Sequence, residues 1–226
     1  MKNIISFSFL LLMTFSVFAQ KQNTKELDKF TELKVYDRII VSLVKSTENK
    51  IVITGDDKDE VNISNKGGLL KIRMEFDNFL DGNEAKATLY YTENLSLIDV
   101  NENAQVISDE TFKGNYTQIK GQEGGKVDLK VTIEKLFVKS VSGSEITLSG
   151  NSNEQEVTVN TGGRVFNKEL QSKNTKVVVM AGGRADVYAT TLMKAKVKAG
   201  GYIYIYGNPK TIEKDKIFGG KIKVME

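Results

Sequence analysis

The chain of 226 residues has no histidine, no cysteine and no tryptophan, and a single proline, Pro209. Without imidazole or thiol, Ser-His-Asp and Cys-His catalysis is excluded, together with imidazole or thiolate metal sites and redox dithiols. No disulfide can staple the fold, so stability must come from core packing and backbone pairing. A charge imbalance is missing as well. The 32 Lys+Arg and 29 Asp+Glu leave a formal charge of +3, which supplies no strong field for nucleic acid or anionic lipid. What is plentiful is glycine, with 19 copies, and that suits a fold with many tight turns.

The N-terminus has a sorting pattern. Lys2 gives a positive start, and "IISFSFLLLMTFSVF" follows it. This apolar run is short for a membrane span. Val17 and Ala19 occupy the small-residue positions of a cleavage site. Residues 1–19 are therefore expected to be a signal peptide, with Gln20 as the new first residue. The mature chain is then secreted, periplasmic or at the cell surface, without an integral membrane segment. No cysteine follows the cleavage site to carry a lipid anchor.

From residue 99 onward the sequence repeats. The units "GGKV", "GSEI", "GGRV", "GGRA", "GGYI" and "GGKI" begin at Gly124, Gly143, Gly162, Gly182, Gly200 and Gly219, at spacings of 19, 19, 20, 18 and 19. A weaker copy, "NAQV", begins at Asn103, 21 residues before Gly124. Three residues after each first position stand Val106, Val127, Ile146, Val165, Ala185, Ile203 and Ile222. Five before stand Ile98, Ile119, Val138, Val157, Val177 and Ala195, until Lys214 breaks the series. Mostly β-branched residues in period-two runs on both sides of a turn mark strands. A unit this small cannot bury its apolar face alone and must stack on its neighbours.

The expected fold is all-β: a single-stranded, right-handed parallel β-helix whose coils of about 19 residues stack at roughly 4.8 Å. An antiparallel β-sandwich or meander of repeated hairpins is the alternative. Residues 20–226 read as one elongated domain, with irregular early coils over 20–98 and regular repeats over 99–226. "DNFLDGNEA" (77–85) is the longest loop candidate. Lysines 210, 214, 216, 221 and 223 crowd the last coil, where charge discourages end-to-end stacking. A basic docking tip is the other reading of that run.

Two segments carry a family resemblance. The opening "LDKFTELKVYDRIIVSLVKSTENKIVITGDD" with "VNISNKGGLLKI", and the later "SVSGSEITLSG" and "KAGGYIYIYGNPKTI", resemble the head GIN domain family of putative autotransporter adhesins. That family is common among secreted proteins of Bacteroidetes. The resemblance covers roughly residues 27–224. It implies a β-helix-like fold and an extracytoplasmic location, and it brings no defined functional residues. A translocating barrel of the autotransporter kind is absent from this chain.

Function is expected on the outward positions beside the turns. Two residues after each first position come Lys126, Glu145, Arg164, Arg184, Tyr202 and Lys221. Four after come Asp128, Thr147, Phe166, Asp186, Tyr204 and Lys223. On stacked coils these become neighbouring columns. Arg164, Phe166, Arg184, Asp186, Tyr202 and Tyr204 form the candidate binding cluster. Their rings offer flat apolar surfaces for sugar, and their charged groups can bond hydroxyls or carboxylates. The expected function is a non-catalytic, adhesin-like module that binds a glycan or a cell-surface protein. A structural role in the envelope, including homo-oligomer assembly, is the alternative. No cofactor is expected.

A polysaccharide lyase would need a minimal constellation of Arg184, Asp186 and Asp128, but acidic residues on that face are too sparse for a calcium site. The acidic runs "GDDKDE" (55–60) and "DNFLDGNE" (77–84) lack EF-hand spacing and read as solvated turns. The glycine pairs are not phosphate loops, because no helix and no Gly-Lys-Ser/Thr follows them.

Overall fold

The computed structural model describes residues 22–75 and 85–225. The expected signal peptide and most of the 77–85 loop lie outside the described residues. Among the described residues, seventeen strands form one continuous sheet that coils as a β-solenoid of about 7 turns. The regular part is built from β8 (Leu97–Val100), β9 (Gln105–Gly121), β10 (Lys126–Ser140), β11 (Glu145–Val159), β12 (Arg164–Val179), β13 (Arg184–Tyr188), β14 (Leu192–Lys198), β15 (Tyr202–Tyr206), β16 (Thr211–Ile217) and β17 (Lys221–Val224).

Every pairing among these strands is parallel, which rules out the meander. The registers match the sequence repeat. Val127 pairs with Val106 and Ile146, Ile146 with Val165, Val165 with Ala185, and Ala185 with Ile203. Ile98, Ile119, Val138, Val157, Val177 and Ala195 form a second inward column. All of these side chains are at most 2% exposed. Each of these inward residues therefore packs on its equivalents above and below, and the two columns form part of one continuous core.

Departures from a 19-residue spacing have local causes. The 21-residue coil carries a register shift where Asp128 and Lys130 face Ile107 and Thr111. The 20-residue coil carries one where Thr147 and Ser149 face Phe166 and Glu169. Both are bulges that absorb extra residues without disturbing the columns on either side.

The turns explain the glycine pairs. Thr161 and Gly162 both have positive φ, at 46° and 71°, as a tight primed turn requires. A Cβ at Gly162 would meet open space, whereas one at Gly163 would lie 2.4 Å from the Ser140 carbonyl oxygen. In this pair the first glycine is thus selected by backbone conformation and the second by close approach of the neighbouring coil. The "GSEI" unit solves the second constraint differently. Ser144 Oγ donates to the Gly121 carbonyl at 2.8 Å, and Gly121 supplies the missing space.

The early coils do not stack in chain order. They comprise β1 (Asn23–Glu26), β2 (Glu32–Val35), β3 (Ile40–Lys45), β4 (Lys50–Thr54), β5 (Val61–Lys66), β6 (Leu69–Met74) and β7 (Lys86–Tyr91). β2 inserts between β6 and β8, and β3 between β7 and β9, all in parallel. Leu33 accordingly pairs with both Leu70 and Ile98. Antiparallel strands close this end: β5 on β6, β4 on β7, and β1 on β4.

Candidate functional site

Strand alternation divides β13 and β15 cleanly. Ala185, Val187, Ile203 and Ile205 point inward and are fully buried. Arg184, Asp186, Tyr202, Tyr204 and Tyr206 take the other face. Parallel register aligns Phe166, Asp186 and Tyr204 in one column and Arg164, Arg184 and Tyr202 in the next.

Within this cluster Arg184 is the organising group. Its Nε and Nη2 donate to the two carboxylate oxygens of Asp186, both at 2.8 Å. Its guanidinium carbon lies 4.9 Å from the Tyr204 ring centroid and 5.5 Å from that of Phe166. The cation is thus held between rings from the preceding and following coils, each contact contributing about 0.5–1 kcal/mol at a partly exposed site. The Arg184 pKa rises further above its ordinary value, first because of the hydrogen bond to Asp186. Asp186 sits on the outward column, yet it is only 3% exposed, because the arginine and the flanking rings cover it.

Tyr202 is 49% exposed. Its ring lies 6.4 Å from that of Tyr204, with only 8° between the planes. The two ring faces are therefore nearly parallel, and the guanidinium lies over the Tyr204 ring. Arg164 is the register neighbour of Arg184, but its guanidinium turns to Glu145 on the preceding coil, at 3.0 Å and 3.1 Å. Five of the six expected residues therefore share one cluster, and Arg164 borders it.

The lyase constellation does not assemble. Asp128 shares the Asp186 column, but Thr147 and Phe166 stand between them. Among the described residues no three His, Cys, Asp or Glu side chains are placed to hold a metal ion. In the 55–60 run, Lys58–Glu60 forms one 3-10 turn, and Asn23 donates to Asp59 at 2.6 Å. The 77–84 run lies outside the described residues.

Two further features escaped sequence reasoning. One is a polar groove of about 550 Å³ that crosses β9, β10, β11 and β12, well along the strands from the glycine turns. Register alone could have located it, since Lys113, Thr132, Asn151 and Gln171 align on successive coils. The other is a carboxyl pair at the turns. The Glu102 carboxyl is pushed up to about 7, first by its hydrogen bond to Asp37, then by burial and the charges of Asp37 and Glu123, against the pull of Arg73. Asp37 Oδ2 meanwhile accepts from the Met74 amide at 2.9 Å. The pairing depends on β2 inserting beside β8, which the sequence does not reveal.

A parallel β-solenoid with a packed aliphatic core, whose polar and aromatic groups are displayed on stacked outer columns, is the class of protein these features define. The chain belongs to the family described as "Putative auto-transporter adhesin, head GIN domain", whose model matches residues 29–209. Solved structures share the fold. A putative adhesin from Bacteroides fragilis superposes with a TM-score of 0.81 at 20% identity, covering 91% of this chain and 96% of that one. A putative adhesin from Parabacteroides merdae gives 0.70 at 16% identity, covering 91% and 96%. A putative lipid binding protein from Parabacteroides distasonis gives 0.69 at 19%, covering 91% and 97%. No curated protein matches the chain. Among the described residues no helix is long and apolar enough to cross a membrane.

Proposed function

We propose that this protein is a secreted, non-catalytic adhesin-like module that holds a glycan against the face formed by Phe166, Arg184, Asp186, Tyr202 and Tyr204, with Arg164 at its border. The observation that carries the reading is the near-parallel Tyr202–Tyr204 pair beside the Arg184–Asp186 ion pair. Sugar rings stack on flat aromatic faces through their C–H groups. The guanidinium keeps unused N–H donors for hydroxyl or carboxylate oxygens, because Asp186 occupies only Nε and Nη2. Phe166, Arg184, Asp186 and Tyr204 already contact one another, which limits the side-chain freedom lost on binding. Membership of an adhesin-type family and the apolar N-terminal run of residues 1–19 support an extracytoplasmic setting. A glycan array probed with the wild-type protein and with the Tyr202→Ala/Tyr204→Ala double variant tests the proposal. Signals present for the former and lost for the latter are expected, and equal signals would refute it.

A further inference from the structure

We infer that the polar groove across β9, β10, β11 and β12 is a second binding site, one that takes a neutral, linear oligosaccharide along the solenoid axis. It does not rest on the tyrosine face, from which it is offset by five positions along β12, from Phe166 to Gln171. Its volume of about 550 Å³ lies within the range of ligand sites, and it is open to solvent along its length. The walls come from successive coils, with Thr132 paired to Asn151 and Asn151 to Gln171. Connecting segments extend it at each end through Asn94 and Thr190. Stacking at about 4.8 Å per strand gives a length of roughly 20 Å.

The chemistry of the walls selects the ligand. No aromatic side chain lines the groove, so stacking is not its mode of recognition. Among the described residues, the side-chain amides of Asn94, Asn115, Asn151 and Gln171 bond to no other protein group. Each offers both a donor and an acceptor, which matches hydroxyl groups that also do both. Charged groups are few among these amides: Glu134 accepts a hydrogen bond from Asn153, and Lys113 and Lys173 are the lining cations. The two lysines stand on β9 and β12 with β10 and β11 between them, so they form no continuous track for an anionic polymer.

Spacing separates a saccharide from a peptide. Wall positions recur once per coil, at about 4.8 Å, whereas an extended peptide recurs at about 3.3 Å per residue and twice that per side chain on one face. A hexose unit has nearly the length of one coil step, so successive sugars can meet equivalent positions on successive coils.

The test uses the full soluble chain in NMR titrations with cellohexaose, maltohexaose, chitohexaose and mannohexaose, and with an uncharged extended hexapeptide. At least one hexasaccharide should bind at millimolar concentration and shift the side-chain amide signals of Asn115, Asn151 and Gln171. Asn151→Ala and Gln171→Ala should each weaken that binding about fivefold, the effect of one hydrogen bond. Both residues are exposed, and unchanged thermal melts will show that the variants fold. Tyr202→Ala/Tyr204→Ala should leave the titration unaltered. Absence of binding by every hexasaccharide, or preference for the peptide, overturns the inference. Loss of binding only in the tyrosine variant also overturns it, while favouring the platform.

Discussion

Arg184 and Asp186, two residues apart on one strand, form a bidentate ion pair with both contacts at 2.8 Å. The Asp186 side chain is 5% exposed, whereas the arginine side chain remains 46% exposed. The two partners are therefore unequal. Removing the arginine strands a buried carboxylate, while removing the carboxylate leaves a guanidinium that water can reach. Arg184→Ala should lower stability by about 2 kcal/mol and Asp186→Ala by less, the difference being the penalty for an unpaired buried polar group. Urea unfolding of both variants checks the order, and a larger loss for Asp186→Ala would contradict it.

The two glycines of one turn should behave differently. Gly162→Ala imposes positive φ on an alanine with open space around it, at about 1–2 kcal/mol. Gly163→Ala drives a Cβ to within 2.4 Å of a backbone carbonyl oxygen, and overpacking of that kind costs about 3 kcal/mol. Denaturant midpoints for the pair should fall in that order.

Most of the solenoid is legible in the sequence because its physics repeats. A residue buried in a parallel stack meets its own equivalents, so β-branched residues recur in register, and a turn squeezed by its neighbour recurs as glycine. The Ile146, Val165, Ala185 and Ile203 column is a direct consequence. What the period does not carry is hidden. β2 and β3 enter the stack out of chain order, and no local pattern marks that insertion. The burial of Asp186 depends on a side chain two residues away and on rings from two other coils. The amide groove lacks an apolar signature, so it is invisible until the strands are laid beside one another.

Lys214 is the register neighbour of Ala195, and Lys216 of Val197. The earlier coils bury these positions; the last coil places ammonium groups on them. Another coil stacked here would have to bury two charges, so β16 rejects end-to-end growth. Lys214→Val/Lys216→Val should associate with rising concentration in sedimentation velocity while the wild type does not associate through this edge. A variant that stays monomeric at every concentration would show that the lysines are not the barrier.

Stability should depend on pH near the Asp37–Glu102 pair. The Glu102 pKa is raised from 4.5 to about 7 in the folded chain, so the folded state binds this proton more tightly than the unfolded state. Its contribution is fully present below pH 4.5 and is lost as pH rises through about 7. Melting temperature should accordingly decline across that window. Glu102→Gln, which cannot titrate, should flatten the decline, and an identical pH profile for both proteins would exclude the pair as its source.

The central claim is that the platform of Tyr202 and Tyr204 beside Arg184 holds a glycan. Its most direct test is the affinity of the wild type and the Tyr202→Ala/Tyr204→Ala variant for the strongest array ligand, measured by isothermal titration calorimetry. Loss of two stacking faces, each contributing about 0.5–1.5 kcal/mol, should weaken binding at least about fivefold with the melting temperature unchanged. Equal affinities of the two proteins would contradict the claim.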